Sequence, residues 1–432
     1  MEPMLPPLDS APSHILDAVG RLTRKTEDII RRDAELSRLV HPITARQIAR
    51  LVDAMNCYYS NLIEGHGTRP ADIERALKQD FSRDRKQRNL QQLSIAHIRV
   101  DRLMKDRLLN DAAVDVCSNE FICWLHKEFY RGMEKDAWGT ELITGFTPGR
   151  MRSPDDTNRG LVMLGNHADA HVPPDSAHLQ LFMSRFHQAY KPKADTLIQR
   201  KIIMAAASHH RLAWIHPFMD GNGRVTRLFS MAYLQAYCSI GKNGMWSLSR
   251  GLARGDGYKS MMMHADSQRR GDLDGRGNLS TVALVDFCDY FLGVMADQIA
   301  FMGTMLDLDG MKERIVAYIN VALHGKIKPQ AAHLLSEAFV YGEFERGDAG
   351  RITGLPERSA RDVLSSLVNL GLLGSDTPKG KVSIRLPEHC LHVLLPSVFP
   401  SQNRPLIRAD SMSLPDDTCP SCQSIPCICS KG

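Results

Sequence analysis

Between His216 and Arg227 the chain reads His-Pro-Phe-Met-Asp-Gly-Asn-Gly-Arg-Val-Thr-Arg, a crowd of reactive side chains around a glycine-rich turn. A Gly-Asn-Gly turn entering a helix exposes several backbone N–H groups at the positive end of the helix dipole, which makes a nest for an anion. Arg224 and Arg227 are three residues apart and share one helix face near its start. Two guanidinium forks beside such a nest suit a polyphosphate better than a single carboxylate. Asp220 would repel phosphate directly, so its presence implies a bridging hard cation, most simply Mg²⁺. His216, just upstream, is placed to take a proton from an attacking hydroxyl. Taken singly, each feature has a plainer reading: Asp220-Gly221 as a hairpin turn, Asn222 as a helix cap, His216-Pro217 as a loop corner. Jointly they exceed those readings, because a cap needs neither two arginines nor an upstream histidine.

These twelve residues match the signature H-P-F-x-[D/E]-G-N-G-R-x-x-R at every specified position, and the stretch from about Ser118 to Ala300 resembles the Fic family more broadly. Fic proteins are known for transferring AMP from ATP to a hydroxyl of a target protein. The resemblance implies that His216 deprotonates a target Ser, Thr or Tyr and that Asp220 holds Mg²⁺ on the α- and β-phosphates. It makes Gly221, Asn222 and Gly223 the phosphate cradle, with Arg224 and Arg227 on the β- and γ-phosphates and Pro217 and Phe218 anchoring the loop. Doc-like kinases on the same scaffold carry Lys-Arg in place of Gly223-Arg224, so the intact pair favours nucleotidyl over phosphoryl transfer. A hairpin around Thr157 to His167 takes the place of the family's flap, where a target segment (about 157–167) would dock by main-chain pairing; the same residues also read as a plain surface hairpin. Trp246 to Tyr258 resembles the region forming the adenine side of the pocket, with Tyr258 as the candidate contact.

Ser60 and Glu64 are four apart, on one face of a helix that ends at Gly65. A carboxylate there faces the negative end of the dipole, unfavourable by a few tenths of a kcal/mol unless a cation compensates. By residue type alone, Glu64 is a solvated side chain before a capping glycine. The resemblance implies another role. Fic proteins with an N-terminal inhibitory helix carry [S/T]-x-x-x-E-[G/N], and Ser60 to Gly65 fits that pattern. Glu64 would then pair with Arg227, occupy the γ-phosphate space and hold ATP in a pose unfit for attack. In some braked members the same Glu also supports removal of AMP.

The elements that must position these residues are mostly helical. Helical periodicity runs from Ile15 to Val40, and His41-Pro42 breaks it; Thr44 is the expected cap of the inhibitory helix, about 44–64. Further helices are expected over Ala71–Leu77, Leu90–Leu109, Ser118–Tyr130, Ala177–Tyr190 and Asp195–Leu212, and from Arg224 to about Tyr237. The expected fold class is mainly α: a Fic helical core with a β-hairpin flap, an N-terminal helical arm and a C-terminal winged helix-turn-helix. The expected divisions are 1–115, 116–308, 311–395 and a flexible tail over 396–432. In the third, Pro356–Leu370 follows a Gly354 turn and precedes two short apolar pieces, Leu372-Leu373 and Val382-Ser383-Ile384, the outline of a winged helix. Arg358 and Arg361 on that helix are offset by Glu357 and Asp362, a poor surface for phosphates, so DNA and protein docking both stay open for this module.

A net charge of +5 over 432 residues and 6% aromatics fit an anionic ligand but not a nucleic-acid coat. The apolar stretch from Thr281 to Leu306 is interrupted by Asp286, Asp289 and Asp297 on one narrow arc, so no membrane span is expected. The N-terminus, MEPMLPPLDSAPS, has no apolar leader, and six of the ten cysteines are scattered without framework spacing. A cytoplasmic location is the expectation. Cys419, Cys422, Cys427 and Cys429 have an imperfect zinc spacing that suits a reduced tail as well. The activity expected is Mg²⁺- and ATP-dependent adenylylation of a target protein, or of the chain itself, restrained by Glu64. The alternatives are a DNA-binding regulator with a nucleotide-sensing Fic core, and transfer of another nucleotide such as UMP. A homodimer is a further open partner.

Overall fold

Proline and glycine punctuate the hydrophobic periodicity, and the elements of the computed structural model follow that punctuation. It describes residues 13–133, 135, 146–159, 171–254, 257–275, 277–377 and 379–400. The expected flap hairpin falls largely on 160–170 and the tail cysteines on 401–432, both outside the described residues. Just before the first of these, Pro154–Arg159 forms a 3₁₀ turn.

The molecule is mainly α. Its N-terminal arm comprises α1 (Ser13–Leu39), α2 (Pro42–Ile63), α3 (Pro70–Leu77) and α4 (Arg85–Asn110). The central body holds α5 (Asn119–Tyr130), α6 (Leu179–Tyr190), α7 (Ile198–Ile215), α8 (Asn222–Tyr233), α9 (Leu248–Ala253), α10 (Gly257–Ala265) and α11 (Thr281–Met305). Helix α7 is its axis: Ile202, Ile203, Ala205 to Leu212, Trp214 and Ile215 are all buried. Short alanine side chains at its middle let α6, α8, α11 and α1 approach it closely. Helix α1 lies along α11, and α2 is wedged among α4, α8 and α9. On α11 the three aspartates point outward, where Asp289 pairs with Lys25 at 2.8 Å and Asp286 with His264 at 3.0 Å. No single described helix is long and apolar enough to cross a membrane.

The C-terminal module holds α12 (Leu308–Ala317), α13 (Ala331–Tyr341), α14 (Ala349–Thr353), α15 (Glu357–Asn369) and α16 (Glu388–Leu394). Its small sheet has the order β1 (Glu343–Phe344), β3 (Val382–Ile384), β2 (Leu373–Gly374), with β3 antiparallel to both neighbours. Strands β2 and β3 overlap the two apolar pieces read from sequence. Strand β1 was invisible there because two residues are too short for an alternation signal. On the outward face of α15, Arg361 is tied to Glu357 at 3.0 Å.

Several boundaries differ from expectation for local reasons. Helix α2 starts at Pro42, and its cap is His41, whose Nδ1 accepts from the Ile43 N–H at 3.3 Å. Thr44 instead sits inside, donating its hydroxyl to the Phe339 carbonyl of α13 at 2.8 Å. Asp84 caps α4 by accepting from the Gln87 N–H at 2.8 Å, which draws the basic stretch after Asp84 into the helix. Helix α8 starts at Asn222, two residues before Arg224. Within Pro396–Pro400, expected to open the tail, Val398 is buried and its carbonyl accepts the Tyr59 hydroxyl at 2.9 Å.

Candidate active site

The site is built where α7 stops and α8 begins. His216 follows the last residue of α7 in the left-handed conformation, φ 51° and ψ 61°, with its N–H on the Leu212 carbonyl at 3.2 Å. For a residue with a side chain that backbone costs about 1 kcal/mol or more, so it needs outside support. Arg152 supplies it: Nε donates to the His216 carbonyl at 2.7 Å and Nη2 to the Ile215 carbonyl at 3.0 Å. The Arg152 N–H also reaches the Pro217 carbonyl at 2.9 Å, and His171 Nε2 bonds the Trp214 carbonyl at 2.8 Å. Thus the carbonyls at the end of α7, which lack partners within the helix, are met by side chains.

The turn itself is clamped from inside. Phe218 is buried and stacks on His126 of α5, ring centres 3.9 Å apart. Asn222 accepts the Phe218 N–H at 2.9 Å and donates to the Phe218 carbonyl at 2.8 Å. Its amide is spent on shaping the turn. Gly221 has φ 79°, and a Cβ there would lie 2.6 Å from the Tyr130 hydroxyl. Only glycine fits both demands. Tyr130 donates to Asp220 Oδ2 at 2.9 Å. His126 accepts the Gly149 N–H on Nδ1 at 2.7 Å, so its other nitrogen carries the hydrogen and donates to the Asp220 carbonyl at 3.1 Å.

Both motif arginines are buried. Arg224 lies over the Phe129 ring at 5.2 Å with Nη1 3.5 Å from the Tyr130 hydroxyl, and its Nε has no partner among the described residues. Arg227, 2% exposed, donates from Nε to Ser60 Oγ at 2.9 Å and from Nη2 to the Ser60 carbonyl at 3.1 Å. The same Nη2 meets Glu64 Oε1 at 2.6 Å. That carboxylate, 32% exposed, lies against the first turn of α8: a Cβ on Gly223 would come within 2.3 Å of Glu64 Oε1. A carboxylate at a helix N-terminus beside two guanidinium groups occupies the position an anionic ligand would take.

The electrostatics follow from this burial. His216 is 8% exposed, and its pKa is lowered to about 3, by burial first and then by the nearby His171 and Arg152. It is therefore neutral at neutral pH, the form that accepts a proton. For Glu64, burial opposes ionisation, but Arg227 and Arg224 outweigh it and hold the carboxyl below its usual range. Burial pushes the Tyr130 phenol well up, with the Asp220 charge adding to it, so Tyr130 stays a hydrogen donor.

The structure thus brings His216, Asp220, Gly221, Asn222, Gly223, Arg224, Arg227, Ser60 and Glu64 to one place. Tyr258 sits apart from that surface, buried on α10 with its hydroxyl 2.8 Å from His209 Nε2. Sequence reasoning missed Arg152, His126 and Tyr130. His126 and Tyr130 are four apart and so share a face of α5, a spacing visible in sequence but with nothing to say which loop they would meet.

Comparison with known proteins agrees with this geometry. Residues 116–234 match the model of the Fic/DOC family. The chain carries a Fic domain. The "Protein adenylyltransferase Fic" of Nematostella vectensis is 45% identical over 64 residues, 15% of this chain and 15% of that protein. That of Culex quinquefasciatus is 37% identical over 62 residues, 14% of this chain and 12% of that protein. The chain therefore spans a small part of the length of these relatives. Among solved structures, a Fic domain containing signaling protein from Bacteroides thetaiotaomicron superposes with a TM-score of 0.51 at 17% identity, covering 65% of this chain and 96% of that one. That likeness is one of fold. Within the Fic domain, the loop between α7 and α8 with the start of α8 forms the His216–Arg227 turn, His126 and Tyr130 of α5 and the Gly149–Arg152 segment brace it, and Ser60 and Glu64 reach it from the N-terminal arm.

Proposed function

We propose that this protein transfers AMP from ATP to a hydroxyl of a protein target, or of itself, and that Glu64 restrains the reaction. The observation that carries the reading is the start of α8, where the buried Arg227 guanidinium holds the Glu64 carboxylate at 2.6 Å, close against Gly223, while a neutral imidazole stands at the head of the same turn. Phosphates suit that nest better than a carboxylate does, because they offer more acceptor oxygens to two guanidinium forks. The target oxygen attacks the α-phosphorus, His216 takes its proton, the bond from the α-phosphorus to the bridging oxygen breaks, and pyrophosphate leaves.

Asp220 fits a magnesium ion that arrives on the nucleotide: one of its oxygens takes the Tyr130 hydrogen, leaving the other for a hard cation. No cluster of three or more His, Cys, Asp or Glu side chains that could hold a metal exists among the described residues. When bound, the ion would neutralise phosphate charge.

Glu64 leaves no room for a terminal phosphate beside Arg227, so the protein as found would bind ATP without aligning it. Glu64→Gly is expected to raise labelling from ATP labelled on the α-phosphate about tenfold or more, a barrier change of roughly 1.4 kcal/mol or above. His216→Ala in that background should abolish labelling. Intact mass of proteins incubated with the Glu64→Gly variant identifies the recipient by the gain of one AMP. Equal labelling by the wild-type and Glu64→Gly proteins defeats the restraint, and no labelling by either defeats the reaction.

A further inference from the structure

The last turn of α7 is strapped down from two loops. Helix geometry would pair the Trp214 carbonyl with the Phe218 N–H four residues on, but that N–H is taken by Asn222 Oδ1 at 2.9 Å. His171, just after the expected flap, covers the carbonyl instead, and because a carbonyl only accepts, Nε2 is the donor at 2.8 Å. The other ring nitrogen, Nδ1, lies 3.3 Å from Asp266 Oδ2. Asp266 directly follows α10, and its second oxygen takes the hydrogen of His210 Nε2 at 3.0 Å. The direction of that bond is fixed, since His210 Nδ1 faces a donor, Arg211 Nη1, at 3.1 Å, which leaves the hydrogen on Nε2. Burial works against ionisation of Asp266, but the two histidines outweigh it and bring its pKa down to about 2, so it stays an acceptor.

His210 and Trp214 are four residues apart and lie along one face of α7. Asp266 and His171 bridge them in series, from the buried His210 ring to a carbonyl one turn later and two residues before His216. His210 is the fixed end, fully buried with its ring edge-on to Phe287 of α11 at 5.3 Å. Arg152 covers the next two carbonyls, so His171 and Arg152 together hold three in succession, Trp214 to His216. We propose that His171, oriented by Asp266, is a positioning residue for the His216 imidazole: by holding the Trp214 carbonyl it fixes the last turn of α7 and keeps the base in line with the target hydroxyl. This rests on the adenylylation reading above, and it gives a part in base alignment to two residues that contact neither nucleotide nor motif side chain.

The test uses full-length protein in the Glu64→Gly background, with steady-state AMP transfer to the recipient found by intact mass and calorimetry of Mg–ATP beside it. His171→Ala should lower kcat about tenfold, with the KM for ATP and for the recipient within about twofold and the Kd for Mg–ATP unchanged. His171→Gln, whose amide can still donate to the Trp214 carbonyl, should restore most of that loss. Asp266→Asn should lower kcat about threefold, and adding it to His171→Ala should cost nothing more, because Asp266 acts through His171. Unchanged kcat in His171→Ala overturns the positioning role alone. So do equal losses in His171→Ala and His171→Gln, which mark a need for the ring's bulk, and a raised KM for the recipient at unchanged kcat, which marks target docking. Where His171→Ala does not fold, Asp266→Asn decides: a lower kcat at unchanged Kd supports the role, and an unchanged kcat overturns it. A Glu64→Gly protein that transfers no AMP overturns the adenylylation reading, and this proposal with it.

Discussion

Burial makes His216 a neutral ring, and the same burial ties the protein's stability to pH. His97 and His216 have pKa values lowered to about 3 and His126 to about 4, burial being the largest cause for each. In the unfolded chain a histidine titrates near 6.5. Between the folded and unfolded values the unfolded state binds more protons, so stability is full above about pH 6.5 and declines as pH falls toward 3–4. Each such histidine contributes a slope of about 1.4 kcal/mol per pH unit in that window. The expected outcome is a lower denaturation midpoint at pH 5 than at pH 7, and a midpoint independent of pH across that range contradicts it. Catalysis by the Glu64→Gly variant should show no acidic limb near 6.5, because the base itself is already deprotonated there. The motif from His216 to Arg227 was legible from residue type and spacing, whereas Ser60 and Glu64 stood out only through the family resemblance. What spacing could not show was the division of labour: the Asn222 amide braces the turn, and Tyr258 faces inward.

At the scale of elements, the end of α7 decides where His216 points. A helix C-terminus leaves carbonyls without partners, and here Arg152 covers two of them from a segment more than sixty residues earlier in the chain. Removing it frees the left-handed turn that carries the imidazole. Arg152→Ala in the Glu64→Gly background should lower kcat about 10- to 100-fold with little change in the KM for ATP, because base alignment is lost while the α8 nest stays. Unchanged kcat would sink that role. Arg152 was not legible from sequence, since a helix-capping contact over such a separation leaves no periodic trace. The boundary of α2 moved for a related reason: a cap is settled by which side chain can reach the free N–H groups, as His41 does there.

Across the whole molecule, the helix that bears Glu64 is held at both ends. Thr44 ties its start to α13 of the C-terminal module, and Ser397 to Phe399 close over its last turns. Phe399 stacks on Tyr59 at 6.3 Å and meets Tyr58 edge-on at 5.3 Å, while the Ser397 carbonyl accepts from Arg250 Nη2 at 2.9 Å. Phe399→Ala is expected to cost about 2 kcal/mol, read as a lowered midpoint in chemical denaturation. An unchanged midpoint would mean that the segment rests on α2 without stabilising it. Sequence placed these residues in a tail because two prolines and no periodicity surround them; their contacts are with a surface that exists only once α2 and α9 are packed.

By itself the amino-acid sequence determined which groups could perform chemistry and that helices would carry them, because motif spacing and the 3.6-residue period are local properties. Tertiary structure alone decided which charges meet. Glu64 and Arg227 are 163 residues apart in the chain. Their ion pair arises from the wedging of α2 against α8, and in the folded protein the cation that the carboxylate at the end of α2 needed comes from another helix.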